Sequence, residues 1–311
     1  MAGRRVLAND LSPYAKLLTT AKLFPYENVE SALADLSRLR PLAEETKKDI
    51  DLRSAPRWVR EFFHPETLRE TIAWVRVLRS RRRPFLLSCP LGIVHHQRPG
   101  FLSFPSSHAV PYLRTARFPR KKFPELYEYC SVHDRLERKV RRAFRRVPTL
   151  DFTLSRKAFR RDAATLRPAR KVDAILTSPP YMRQLDYGRD NRLRLWFLGV
   201  QDAGTMDSRI SPRETGFLAL MGDCIDLWQK LLTPGGRCVL VIGNTCSRAG
   251  RGDDLPSRIM RMALENGGFD IVSSFTDRIP NERRVRRGIT GNTTETVLVL
   301  KRSARTGRRT R

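Results

Sequence analysis

Thr177-Ser178-Pro179-Pro180-Tyr181 follows directly on a short apolar run, Val172 to Leu176. The run reads as a buried strand of a parallel sheet. Two prolines cannot continue a ladder, so the strand stops there. The loop that results is rigid and stands at the carboxyl end of a strand, where open α/β sheets bind ligands. It gathers an aromatic ring, a hydroxyl and backbone carbonyls that no ladder consumes. Such a set suits gripping a flat, amine-bearing ring such as a nucleobase.

Other reactive residue types give weaker patterns. His95-His96, with His108 a little later, lack a third ligand at regular spacing, so no metal site is expected. They read either as loop structure or as contacts to a nucleic acid. Cys89, Cys130, Cys224, Cys238 and Cys246 form no C-x-x-C pair, and five is an odd number. This argues against a disulfide framework and a zinc site, and for a reducing compartment. The start, Met1 to Asp10, has no apolar signal region, and no run reaches the length of a membrane span. A soluble, cytoplasmic protein is expected.

Charge points to the partner. Lysine plus arginine number 60 against 32 acids, a formal net charge of +28 over 311 residues, while 40% hydrophobic content marks the chain as globular. Such an excess suits a polyanion, above all nucleic acid. The alternative is a host whose proteins are generally arginine-rich.

The elements that position these residues change character along the chain. Arg5–Ala8 is a strand candidate, and a helix is expected from about Pro13 to Phe24, with Ser12 as its cap. From about Glu30 to Arg83 apolar residues recur at helical spacing, as in Leu68, Ile72, Val75 and Leu78. Phe85 to about Arg120, rich in Pro, Ser, Gly and aromatics, reads as a long ordered loop region. A basic helix is expected over roughly Glu125–Arg146, with Leu136, Val140 and Phe144 on one face. Its cations are either a solvated face or phosphate contacts. From about Val147 the pattern is α/β. Helices are expected near Asn191–Leu198, Gly216–Leu232 and Leu255–Glu265. A turn is expected at Thr233–Gly236, and strands at Arg237–Ile242, Phe269–Phe275 and Thr296–Lys301.

With these segments in place the chain resembles the S-adenosylmethionine-dependent DNA methyltransferases that act on an exocyclic amine, giving N4-methylcytosine or N6-methyladenine. T-S-P-P-Y at Thr177–Tyr181 looks like their catalytic motif, and Asp186–Gly199 like the helix after it. Leu231–Asn244 looks like the following turn and strand, and Glu295–Leu300 like the last strand. Asn9–Pro13 looks like the acidic loop after the second strand, and Arg160–Leu166 like the next cofactor loop. The likeness covers residues 1–25 and about 150–302.

The resemblance implies a Rossmann-like class I methyltransferase sheet with a mostly helical insertion, and S-adenosyl-L-methionine as cofactor. Ser178 and the Pro179 carbonyl would accept the amine hydrogens, Pro180 would hold the loop rigid, and Tyr181 would stack on an extruded base. Serine at the first position resembles the cytosine-N4 members. Asn9 and Asp10 would bind cofactor, Asp10 through the ribose hydroxyls, and Asp162 would lie near the adenine amine. Asp10 can also be read as a helix N-terminal acid, and an isolated R-D-A such as that at Asp162 is common. Asp186 and Tyr187 would line the base pocket, with Asn244 a weaker candidate. Double-stranded DNA would be the partner, in a restriction-modification or orphan setting, with an N6-adenine or RNA base enzyme as the alternatives.

One family element has no counterpart. The glycine-rich turn after a first strand should precede the acidic loop, yet only Met1–Ala8 precede Asn9. The first strand of the sheet is thus read as missing, and the chain as a truncation, a misassigned start or half of a split enzyme. A second chain supplying the turn would be a partner. A non-catalytic DNA-binding fragment is the rival reading. The expected organisation is a discontinuous catalytic domain, 1–28 with 148–302, an insertion at 29–147 as target-recognition region, and a basic disordered tail at 303–311.

Overall fold

In the computed structural model of the chain, the described residues are 3–106, 115–145, 149–180, 187–204, 214–243, 254–265, 268–280 and 294–303. The fold is mixed α/β, as expected. The chain forms two compact units, Met1–Arg160 with Gly188–Met206, and Arg161–Tyr187 with Asp207–Arg311.

The first unit is mostly helical. Strand β1 (Val6–Asn9) pairs in parallel with β2 (Arg156–Phe159), from Val6 opposite Arg156 to Asn9 opposite Phe159. Helix α1 (Pro13–Leu23) follows β1, and the Ser12 hydroxyl accepts the Ala15 N–H at 3.4 Å as its cap. Then come α2 (Val29–Lys48), α3 (Arg57–Arg60), α4 (Pro65–Ser80), α5 (Pro84–Ile93) and α6 (Val132–Phe144). The short helices α7 (Tyr187–Asp190) and α8 (Arg192–Phe197) lie later in the chain. Leu36, Phe62, Leu68, Trp74, Leu86, Leu91, Leu136 and Val140 share one core with Leu193 and Phe197 of α8. Glu70 on α4 is a buried polar anchor. Its carboxylate accepts the Tyr129 hydroxyl at 2.6 Å and the Val132 N–H at 3.0 Å, which fixes the start of α6.

Two expectations fail in this unit. Residues 84–93 are helix α5, not loop. Phe85, Leu86, Leu87, Cys89, Leu91 and Ile93 are all buried, so α5 has no polar face and shows no helical period in sequence. The basic helix is also shorter than expected. Pro124–Tyr127 is a separate 3-10 turn, and α6 starts at Val132 because the Ser131 hydroxyl caps the Asp134 N–H at 3.3 Å.

The second unit is built on a four-stranded sheet. Its strands are β3 (Val172–Thr177), β4 (Leu232–Gly243), β5 (Phe269–Arg278) and β6 (Thr294–Arg302), in the order β3-β4-β6-β5. The β3–β4 pair is parallel, and β6 is antiparallel to both its neighbours. Helices α9 (Glu214–Leu231) and α10 (Leu255–Glu265) cover one face. Phe217, Met221, Ile225, Ile259 and Ala263 of those helices pack with Cys238, Leu240, Ile242, Leu298 and Leu300 of the strands. Alternation along a strand puts Leu176 and Phe275 on the opposite face. They are 75% and 55% exposed. The Thr233–Gly236 turn falls inside β4 as an excursion, since Leu232 pairs with Val172 and Arg237 already with Ala174. Gly235 has φ of 73°, and a Cβ on Gly236 would stand 2.9 Å from the Thr233 carbonyl, so glycine suits both positions.

Candidate active site

β3 runs from Val172 to Thr177, and Ser178, Pro179 and Pro180 leave its carboxyl end. Pro179 is buried, Pro180 half-buried and Ser178 exposed. The strand stops because Pro179 and Pro180 have no N–H to give a ladder. Beside it, β4 runs three residues beyond the Thr177–Leu240 pair, to Gly243. The hydroxyl-bearing loop is therefore at the carboxyl end of a parallel pair whose crossover includes α9, the position at which open α/β sheets take ligands. Tyr181 and Asp186 lie outside the described residues, as do His108 and Asn244. Tyr187 is half-buried and opens α7. The four-residue α7 is followed by Asn191 and α8, so the helix expected after the motif is broken in two.

Among the described residues the only strand partner of β3 is β4. A strand in the middle of a doubly wound sheet is covered on both faces and paired on both edges; Ala174 and Leu176 on β3 are instead exposed.

Asp162 belongs to the same unit as β3. It caps the 3-10 turn Ala163–Thr165, its carboxylate accepting the Ala164 N–H at 3.0 Å. That turn packs on α9.

Asn9 and Asp10 belong to the first unit, at the carboxyl end of β1. The Asp10 N–H donates to the Phe159 carbonyl at 3.4 Å, and one carboxylate oxygen accepts the Ser12 N–H at 2.7 Å. Desolvation by its surroundings pushes the Asp10 carboxyl above its ordinary value, opposed by the Ser12 N–H. The side chain stays exposed, and its second oxygen has no hydrogen-bond partner among the described residues. A carboxylate with one oxygen fixed by a turn and the other open fits a pair of ribose hydroxyls.

His95 and His96 make contacts inside the first unit. His95 is buried, its Nδ1 2.7 Å from the Ser103 hydroxyl and its ring edge-on to Phe62. His96 stacks on Phe101. No group of three or more His, Cys, Asp or Glu residues among the described residues could hold a metal ion. The same set has no helix long and apolar enough to cross a membrane.

Sequence reasoning missed one feature of the first unit. A cleft of about 640 Å³ is lined by Phe24, Tyr26, Asp35, Arg38, Arg83 and Phe85 among others. Its buried Asp35 carboxylate accepts from the Tyr26 hydroxyl, from Arg38 and, at 2.7 Å, from Arg83 Nε. Burial works against the charge, but those three donors outweigh it and hold the carboxyl below its ordinary value. All three partners lie near α2 or at the start of α5, so the cluster pins helices and leaves Asp35 nothing to offer a substrate. Arg38 lies one helical turn from Asp35, but Tyr26 and Arg83 are remote enough that periodicity could not reveal the group.

No family model and no curated protein matches the chain. Among solved structures, it is similar to TTHA0409 of Thermus thermophilus, a candidate DNA modification methylase in complex with S-adenosyl-L-methionine. The identity is 22% over 48% of this chain and 56% of that one, with a TM-score of 0.29. Against TrmN from Thermus thermophilus the identity is 21%, the coverage 55% and 33%, and the TM-score 0.27. Against the N-methyltransferase NodS from Bradyrhizobium japonicum WM9, with S-adenosyl-L-homocysteine, they are 16%, 55% and 63%, and 0.28. The chain spans less than two thirds of the length of each. Likenesses this distant assign no family.

Proposed function

We propose that this chain is an S-adenosyl-L-methionine-dependent DNA methyltransferase that modifies the exocyclic amine of a flipped base, cytosine N4 in preference to adenine N6. The observation that carries the reading is Ser178-Pro179-Pro180 leaving the carboxyl end of a strand whose only described neighbour, β4, runs parallel to it. The lone pair of a base amine is delocalised into the ring. Accepting its hydrogens draws it toward the tetrahedral form that can attack a methyl group. In this reading the Ser178 hydroxyl and the Pro179 carbonyl are those acceptors, and Pro180 holds them fixed. Tyr181 stacks on the base, and Tyr187 and Asp186 border it. The cofactor, when bound, supplies an electrophilic methyl group. Asp10, with Asn9, holds the ribose, a role supported by its open carboxylate oxygen. Asp162 orients the adenine. On this reading 1–28 with 148–302 do the chemistry and 29–147 read the target.

The test is transfer of labelled methyl from S-adenosyl-L-methionine to duplex DNA, followed by nucleoside analysis. Ser178→Ala should lower the rate about 100-fold or more, the scale expected when a hydrogen-bonding group that acts in the transition state is removed, and Tyr181→Ala should lower it by the loss of base stacking, about 1–3 kcal/mol. Transfer that survives both changes overturns the assignment. N6-methyladenine, or label entering RNA alone, would redirect it within the same chemistry.

A second reading has its own support. Among the described residues β3 has no strand partner on its outer edge, and this with the exposed Leu176 suits a subunit that takes a strand from a second chain. Titration with S-adenosyl-L-methionine separates the two. Tight binding by this chain alone favours the complete enzyme, and DNA binding without cofactor heat favours the subunit.

A further inference from the structure

We propose that the solvent face of α6 is a docking surface for the sugar-phosphate backbone of duplex DNA, an inference that rests on the nucleic-acid reading above. Val132, Leu136 and Val140 on one side of α6 are fully buried, and the helix packs against α2, α4 and α5. The opposite side carries Arg138, Arg141, Arg142 and Arg145, all exposed. None of the four has an ion pair or a side-chain hydrogen bond among the described residues. The acids of α6, Asp134 and Glu137, lie in its first half, and Glu137 is 3.4 Å from His133. Arg135, on the flank, is already used inside the fold, donating to the Gly100 carbonyl at 3.0 Å.

The spacing is what separates this face from an ordinary solvated one. Arg138–Arg142 and Arg141–Arg145 are i,i+4 neighbours, and Arg138–Arg141 and Arg142–Arg145 are i,i+3 neighbours. Like charges at those separations destabilise a helix. The negative end of the helix dipole offsets part of this, within the last turn only. Some exposed arginines elsewhere in the unit have acids beside them, as Arg53 has Asp51 and Arg57 has Glu61, whereas others, such as Arg40 and Arg76, form no ion pair among the described residues. On α6 Asp134 and Glu137 stand one turn before Arg138 and Arg141 without forming an ion pair with them, so the repulsion is only partly offset inside the chain, and a polyanion would relieve the rest. The four side chains span about 10 Å along the axis at 1.5 Å per residue. That reaches about three successive phosphates at the 3.4 Å per-strand rise of duplex DNA. The helix is held on its buried side and at its start by Glu70, so the row is presented already ordered. Arginine also suits phosphate by geometry.

The experiment is DNA binding by the full chain at several salt concentrations, comparing wild type with the quadruple variant Arg138→Gln, Arg141→Gln, Arg142→Gln, Arg145→Gln. Each phosphate contact contributes about 0.9 to the slope of log affinity against log salt. The variant's slope should therefore be shallower by about 3, with weaker binding at every salt concentration. Replacing the same four by Lys should restore most of the slope, whereas Arg53→Gln with Arg57→Gln should change it little. The variant should keep its helical circular dichroism, because removing the arginines relieves repulsion. An unchanged slope in a folded quadruple variant overturns the proposal. So does an effect seen with duplex RNA or anionic vesicles but not with DNA. A slope that falls in a protein without methyl transfer leaves the surface standing and sinks only the methyltransferase reading. Transfer with an unaltered slope does the reverse.

Discussion

The two units bury their apolar residues differently. In the first, helices pack around Phe62, Trp74 and Leu136, and even charged groups such as Asp35 and Glu70 are enclosed and fully partnered. In the second, a mixed sheet has two helices on one face, while Leu176, Val272 and Phe275 remain exposed and β3 has one described neighbour. The residues best suited to chemistry, Ser178 to Pro180, belong to the less covered unit. The cationic face of α6 belongs to the better packed one. A helical unit packed around one core can hold an ordered row of charges for a polymer, while a sheet with no described strand beyond β3 leaves Ser178 exposed at a strand end.

The largest effect that tests this contrast is Phe62→Ala. Phe62 has no solvent exposure and touches His95, so the change should cost about 3–5 kcal/mol in urea denaturation. A loss under about 1 kcal/mol would mean the helical core is looser than described. Next comes a pair within the sheet. Leu240→Ala, facing α9 and α10, should cost about 2–5 kcal/mol. Leu176→Ala, on the uncovered face, should stay within about 0.5 kcal/mol. Equal losses would show that both faces of the sheet are packed in solution. The smallest effect is confined to alkaline pH. Burial pushes the Cys89 thiol of the first unit and the Cys238 thiol of the second up to about 12. A thiol kept protonated in the fold stabilises it fully below the ordinary value of 9.0, and that contribution disappears as the pH rises toward about 12. Stability should fall over that window in both units, and Cys89→Ala should flatten the fall in the first alone. The same alkaline loss with and without Cys89 would mean that its thiol is not shielded.

Much of the site was legible because its signals are local. Ser12 before Pro13 marks a helix start, and α1 begins there. Val172–Leu176 before two prolines marks a strand and its end, and β3 ends at Thr177. The amphipathic stripe of α6 was visible in its four-residue steps, although its start was not, because Ser131 competes with Glu125 as a plausible first turn. Helix α5 was hidden because burial on all sides erases the period. The pairing of β1 with β2 joins segments about 150 residues apart and leaves no local trace.

The sequence by itself determined the charge, the proline-stopped strand and the residue types available at its end, because each follows from side-chain chemistry and short-range backbone sterics. Tertiary structure alone decided that Asp35 and Glu70 would be consumed as anchors and that β6 would insert between β4 and β5. It also decided that four arginines of α6 would form no ion pair among the described residues. Those outcomes depend on which distant segments meet, and contacts of that kind are set by the competition among all buried surfaces at once.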